Sequence, residues 1–126
     1  MTIPKILLVE DDEFIRDIYY EILSTSGFDV TTAVNGSEAY ERIKKGTWDL
    51  VLLDVMMPIM NGLEVLEKLK DDKVKVRYKK LIFLTNIDDG EEIKALIRVS
   101  DGYFLKSDLT PPILIDKVKS LFPEDK

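Results

Sequence analysis

The chain contains no cysteine and no histidine. Without cysteine there is no disulfide framework, thiolate metal site or cysteine nucleophile. Without histidine there is no His-dependent triad, no His-ligated zinc or haem, and no imidazole base poised near neutral pH. Long apolar runs are missing too. None approaches the roughly 20 residues that cross a bilayer, and the run Ile6 to Val9 is too short for the core of a signal peptide. The chain is therefore expected in the cytoplasm, away from membranes. Basic surplus is also lacking: 18 Lys and Arg face 24 Asp and Glu, a net charge of −6. That balance argues against broad binding to nucleic acid, and no direct DNA binding is expected. Chemistry is left to carboxylates, Lys, Ser, Thr, Tyr and backbone groups.

What is present suits one folded domain of 126 residues, 45% of them hydrophobic. Short apolar runs recur at Ile6 to Val9, Val30 to Val34, Leu50 to Leu53, Leu81 to Leu84 and Tyr103 to Leu105. The first, third and fourth are continuous rather than alternating, as in strands covered on both faces. Between the runs lie helical patterns. Phe14, Ile15, Ile18, Tyr19, Ile22 and Leu23 form the first, with Gly27 as a stop signal. Ala39, Tyr40 and Ile43 mark a second, starting at Asn35 or Ser37. Leu63, Val65, Leu66 and Leu69 mark a third, and Ile93, Leu96 and Ile97 a fourth. Thr110 before Pro111 and Pro112 caps a fifth. The alternation predicts an α/β fold with five strands, five helices and a mostly parallel sheet.

In such sheets functional groups gather beyond the carboxyl ends of the strands. The first strand ends in Glu10, Asp11 and Asp12, the third in Asp54, and the fourth in Thr85 and Asn86; Lys106 follows the fifth. Carboxylates brought together repel unless a cation compensates, and oxygen donors alone suit a hard ion such as Mg2+. With a hydroxyl at Thr85 and an ammonium at Lys106, the set makes a phosphoryl site with a carboxylate nucleophile. Taken singly, each member has an ordinary reading. Acids after a strand cap the next helix, an Asp after a strand belongs to a turn, Thr85 packs or caps, and Lys106 lies on the surface. Only their conjunction is specific.

Four segments, KILLVEDD at 5–12, LVLLDVMMPIMNG at 50–62, LIFLT at 81–85 and YFLK at 103–106, resemble the receiver domain of two-component response regulators. The resemblance runs over essentially the full chain and is closest to single-domain, chemotaxis-regulator-like receivers. It implies a doubly wound, flavodoxin-like sheet of order 2-1-3-4-5, a receiver domain over 1–126 and no output domain. It implies a phosphorylation-controlled switch rather than an enzyme. By the same resemblance Asp54 is the phosphoacceptor, and Asp11, Glu10, Asp54 and the backbone carbonyl of Met56 serve Mg2+. Asp12 is a lesser third acid. Thr85 is the hydroxyl that bonds the phosphoryl group, Lys106 its paired lysine, and Tyr103 the aromatic that turns inward on activation. The spacings fit: 43 residues separate Asp11 from Asp54 and 52 separate Asp54 from Lys106. The implied partners are a sensor histidine kinase or phosphotransfer protein, and a downstream protein reached through the fourth helix, fifth strand and fifth helix.

Three positions depart from the family pattern: Ser107 where proline is usual, Asn86 where a smaller residue is usual, and DGYF at 101–104 in place of a small-residue run. By the same resemblance Met56 and Ile87 are the residues that flank the path of the hydrolytic water, and their apolar side chains imply slow self-hydrolysis. An aspartate-nucleophile phosphohydrolase is an alternative, but it places an acid two residues after the nucleophile, where this chain has Met56. A flavin protein would want a phosphate loop where the acidic EDDEF stands at 10–14. A receiver that docks partners without phosphorylation is the remaining alternative. The stretch 68–80 holds seven Lys or Arg against two Asp. It reads as a solvated helix end and loop, with a docking patch for an acidic partner or a nucleic-acid contact as the other reading.

Overall fold

The computed structural model describes residues 3–86, 90, 91, 98 and 100–122. Five strands form one sheet: β1 (Lys5–Val9), β2 (Asp29–Ala33), β3 (Trp48–Asp54), β4 (Tyr78–Thr85) and β5 (Tyr103–Leu105). Their order is β2-β1-β3-β4-β5, and every neighbouring pair is parallel. The helices are α1 (Glu13–Thr25), α2 (Gly36–Lys45), α3 (Gly62–Asp71) and α4 (Pro111–Ser120). Among the described residues no helix is long and apolar enough to cross a membrane.

The expectation of five helices is corrected to four among the described residues. The expected fourth, on Ile93, Leu96 and Ile97, lies outside them. Its pattern spans little more than one turn, which is a weak helix signal because so short a segment gains few propagating hydrogen bonds to offset the cost of nucleation. The last expected helix is therefore α4.

The continuous apolar runs are explained by packing on both faces. Leu7, Val9, Val51, Leu53, Leu81 and Phe83 meet Ala39, Tyr40 and Ile43 of α2 and Val65 and Leu69 of α3. Ile6, Leu8, Leu50, Leu52, Ile82 and Leu84 meet Tyr19 and Leu23 of α1 and Leu114 and Val118 of α4. Alternate residues of one strand thus enter two separate cores.

Side-chain caps fix where each helix begins. Asp12 Oδ1 accepts from the Ile15 amide at 3.1 Å, Asn35 Oδ1 from Glu38 at 2.8 Å, and Thr110 Oγ1 from Ile113 at 3.4 Å. Asn61 and Glu64 form a reciprocal capping box at the start of α3. The end of α3 is less regular. The amides of Lys73 and Val74 donate to the carbonyls of Lys70 and Leu69, the paired bonds of a Schellman turn. Its left-handed position is filled by Lys73, with φ of 53°, where glycine is favoured. Lys73→Gly should raise the unfolding free energy by about 1 kcal/mol, measured by urea denaturation; an unchanged or lower midpoint would show that the turn is not strained.

Candidate functional site

The parallel sheet brings the ends of β1, β3, β4 and β5 to one rim. A hollow of about 600 Å3 opens there, and Glu10, Asp11, Asp54, Met56, Asn86 and Lys106 are among its lining residues. Glu10 and Asp54 are 0% and 1% exposed, whereas Asp11 faces solvent. Each of these three acids offers one oxygen, and the three oxygens lie within 4.8 Å of one another.

Lys106 joins the two buried acids. Its Nζ donates to Asp54 Oδ2 at 2.9 Å and lies 2.8 Å from Glu10 Oε2. The second contact is an ion pair without the directional geometry of a hydrogen bond, so Glu10 Oε2 is buried with no hydrogen-bond partner. Three carboxylates against one ammonium leave the cluster negative. Burial pushes the Asp54 carboxyl up to about 8, the charge of Glu10 adds to the rise, and Lys106 opposes it. For Lys106 burial works against the charge, but the attraction of the Glu10 and Asp54 carboxylates prevails and holds the ammonium above the usual lysine range. An all-oxygen, electron-rich cluster of three carboxylates fits a hard divalent ion such as Mg2+.

The loop after β3 is held by close backbone approach. The Gly62 amide donates to Val55 O at 2.9 Å, and a Cβ at Gly62 would lie 2.7 Å from Asp54 O. A Cβ at Gly36 would lie 2.1 Å from Met60 O, so α2 buttresses the same loop. Within it the Met60 amide donates to Pro58 O, forming a γ-turn centred on Ile59. Ile59 has φ of 72° and is 80% exposed, a strained setting for a β-branched residue.

The expected residues divide into those brought together and those held apart. Glu10, Asp11, Asp54 and Lys106 converge, and Met56 lines the same hollow with its side chain half exposed. Asp12 follows its ordinary reading as the cap of α1. Thr85 is fully buried and its hydroxyl has no partner, but it does not line the hollow. Asp54 pairs in register with Leu84, so Thr85 is one residue out of phase, on the Phe83 side of the sheet. Tyr103 is 40% exposed. The Lys106–Ser107 peptide is trans and opens a single 3-10 turn, Lys106–Asp108.

Two contributors escaped the sequence reading. The Arg16 guanidinium donates to Glu10 O at 3.0 Å and, more weakly, to Asp11 O at 3.5 Å, tying α1 to the acidic turn. Its place one helical turn after Asp12 is the signal that could have found it. Tyr19 reads as core, yet it also lines the hollow; burial raises its hydroxyl, with Lys106 pulling the other way.

Fold and rim together define a doubly wound α/β domain built around a buried aspartate, its lysine and a cluster of acids. The model of the response regulator receiver domain matches residues 6–119, and the chain belongs to that family. It is 34% identical over 121 residues to the transcriptional regulatory protein CrdR of Helicobacter pylori, covering 96% of this chain and 56% of that protein. It is 33% identical over 111 residues to the chemotaxis protein CheY of Halobacterium salinarum, covering 87% and 90%. The chain thus spans little more than half of the first relative and nearly all of the second. Among solved structures, the response regulator protein TrrA of Thermotoga maritima, in complex with Mg2+-BeF, is 34% identical. That match covers 95% of this chain and all of the other, with a TM-score of 0.78. Membership makes the chain a signalling module rather than an enzyme acting on a separate substrate.

Lys106→Met removes the ammonium from two buried carboxylates. It should lower the unfolding free energy by about 3 kcal/mol in metal-free buffer. Mg2+ should then stabilise the variant more than the wild type. Urea denaturation of both proteins, with chelator and with Mg2+, measures this, and equal Mg2+ effects would show that ammonium and metal do not serve the same carboxylates.

Proposed function

We propose that the chain is a phosphorylation-controlled switch in which Asp54 accepts a phosphoryl group from a phosphohistidine of a sensor histidine kinase or phosphotransfer protein. The observation that carries this reading is the buried Asp54 at the end of β3, bonded to Lys106 and clustered with Glu10 and Asp11. An Asp54 carboxylate oxygen forms the new bond to phosphorus while the nitrogen–phosphorus bond of the donor breaks, and the freed imidazole takes up a proton. Glu10, Asp11, Asp54 and the carbonyl of Met56 are the residues that would hold Mg2+. Bound there, the ion supplies positive charge to the transferring phosphoryl oxygens. Lys106 is placed to leave Asp54 and pair with the new phosphoryl charge. The unpartnered Thr85 hydroxyl can donate to a phosphoryl oxygen once the end of β4 shifts, since at rest it lies out of phase with Asp54.

That shift would connect the site to the output face. Thr85 pairs with Leu105 and Tyr103 with Phe83, so Thr85 and Tyr103 stand two residues apart along adjoining strands, and Tyr103 is 40% exposed. The reading places a downstream protein on β5, α4 and the segment before β5, with the cytoplasm as the compartment. A single receiver domain over 1–126 is the accompanying proposal for domain organisation. With acetyl phosphate and Mg2+, the intact protein should gain one phosphoryl mass at Asp54, and Asp54→Ala should gain none. Equal labelling of that variant would overturn the assignment. Absence of labelling in the wild type would favour a receiver that docks partners without phosphorylation.

Signal lifetime follows from the mouth of the hollow. Met56 is long, apolar and half exposed there, and it cannot orient a water by hydrogen bonding. The other expected flank, Ile87, lies outside the described residues. Met56→Asn together with Ile87→Glu should speed loss of the phosphoryl group about tenfold, equivalent to about 1.4 kcal/mol of barrier. Decay is followed by intact mass after removal of the donor, and an unchanged rate would move control of water access to Asn86 or Ser107.

A further inference from the structure

A second concavity, of about 530 Å3, lies beside α3 and the chain that leads into β4. Leu63, Leu66, Leu69, Val74, Val76 and Tyr78 form its apolar floor, with Glu67 and Lys70 also in the lining. Leu63, Leu66, Leu69, Val74 and Tyr78 belong to the outer part of the core beneath α3, and Val76 lies beyond it at 40% exposed. Around it cations outnumber acids. The side chains of Lys70, Lys73, Lys75 and Arg77 make no ion pair or hydrogen bond among the described residues. Two nearby acids are engaged: Asp72 accepts from the Tyr40 hydroxyl and pairs with Lys68 at 3.3 Å, and Asp49 pairs with Lys79 at 3.1 Å. Glu67 in the lining and Asp71 at the end of α3 are set against the four cations, which still outnumber them. In a chain of net charge −6, this is a local excess of unpaired cations around an apolar floor.

The strained turn points the same way. Lys73 occupies the left-handed position where glycine would be favoured. Strain retained at an exposed position is a mark of function when a better residue is available. Here it places one more cation at the rim, directly beside the groove residue Val74.

We infer that this groove docks an acidic amphipathic helical segment of a partner protein, its apolar stripe on the leucine and valine floor and its carboxylates on the lysine and arginine rim. A concave apolar floor suits a helix better than a nucleic acid, which would engage the cations and leave the floor uncovered. The groove lies at the amino end of β4 and the phosphoacceptor rim at the carboxyl ends of the strands, roughly 23 Å apart at the strand rise. Docking there leaves Asp54 accessible, so the inference is independent of the phosphorylation reading.

The test uses the full chain and a synthetic helix-forming peptide of about 16 residues, leucine at i, i+3, i+4 and i+7 and glutamate elsewhere. Backbone amide shifts on titration should concentrate at 63–78. Lys75→Glu with Arg77→Glu should weaken binding about tenfold or more, and Val76→Ser should also weaken it. Lys73→Gly should weaken binding while leaving the fold intact, which separates docking from stability. Labelling of Asp54 by acetyl phosphate should stay unchanged in all three. The inference is overturned if the acidic peptide does not bind, if the shifts fall elsewhere, or if the charge-reversed variant binds equally well. It is also overturned if a lysine-for-glutamate peptide or an oligothymidylate binds as tightly at these residues.

Discussion

Lys106 between Glu10 and Asp54 is the constraint on which the carboxyl rim depends. Three strands, β1, β3 and β5, must end in register for one ammonium to lie within 2.9 Å of both acids. Buried ion clusters of this kind rarely add stability compared with apolar residues of similar size. Here one ammonium contacts two of three clustered acids, and burial raises Asp54. The arrangement is costly as packing and sensible as chemistry. It keeps a carboxylate desolvated, electron-rich and next to a cation that can be redirected.

The rest of the fold supplies the rigidity this requires. Six apolar strand residues on each face lock the sheet between helix layers, so the strand ends cannot drift. The loop that follows Asp54 is then pinned twice, at Gly62 under its start and at Gly36 against Met60. Strain at Ile59 is confined to the exposed tip between those two pins. Arg16 completes the support from the other side by holding the carbonyls of the acidic turn.

Much of this was legible in the sequence because it rests on local rules. Double-sided burial makes β1, β3 and β4 read as unbroken apolar runs. The caps at Asn35 and Thr110 follow from side-chain chemistry. The β4 boundary was harder: Tyr78 to Lys80 join the strand although two of the three are lysines, because they lie beyond the covered part of the sheet. What the sequence could not display is phase. Thr85 stands next to Asp54 in any list of strand ends, but pleating turns it to the other face. Nor could spacing separate Asp12, which caps α1, from Asp11, which joins the acid cluster. A one-residue step around the strand end decides between those roles. The expected fourth helix rested on a pattern little longer than a turn, and the described residues carry four helices.

Charge is segregated along the strand direction. Acids gather where the strands end, while unpaired cations lie toward the start of β4. A phosphoryl group therefore approaches the acidic rim as a like charge, and Lys106 alone does not offset three carboxylates. Two of those carboxylates are buried, where repulsion is screened less than in solvent. The electrostatics of the resting site thus disfavour both full ionisation of Asp54 and the arrival of an anionic donor. A divalent cation relieves both effects at once, because it stabilises the ionised carboxylate and neutralises the rim that the donor must approach. Dependence on such an ion is built into the ratio of acids to lysine at the rim, before any detail of coordination is considered.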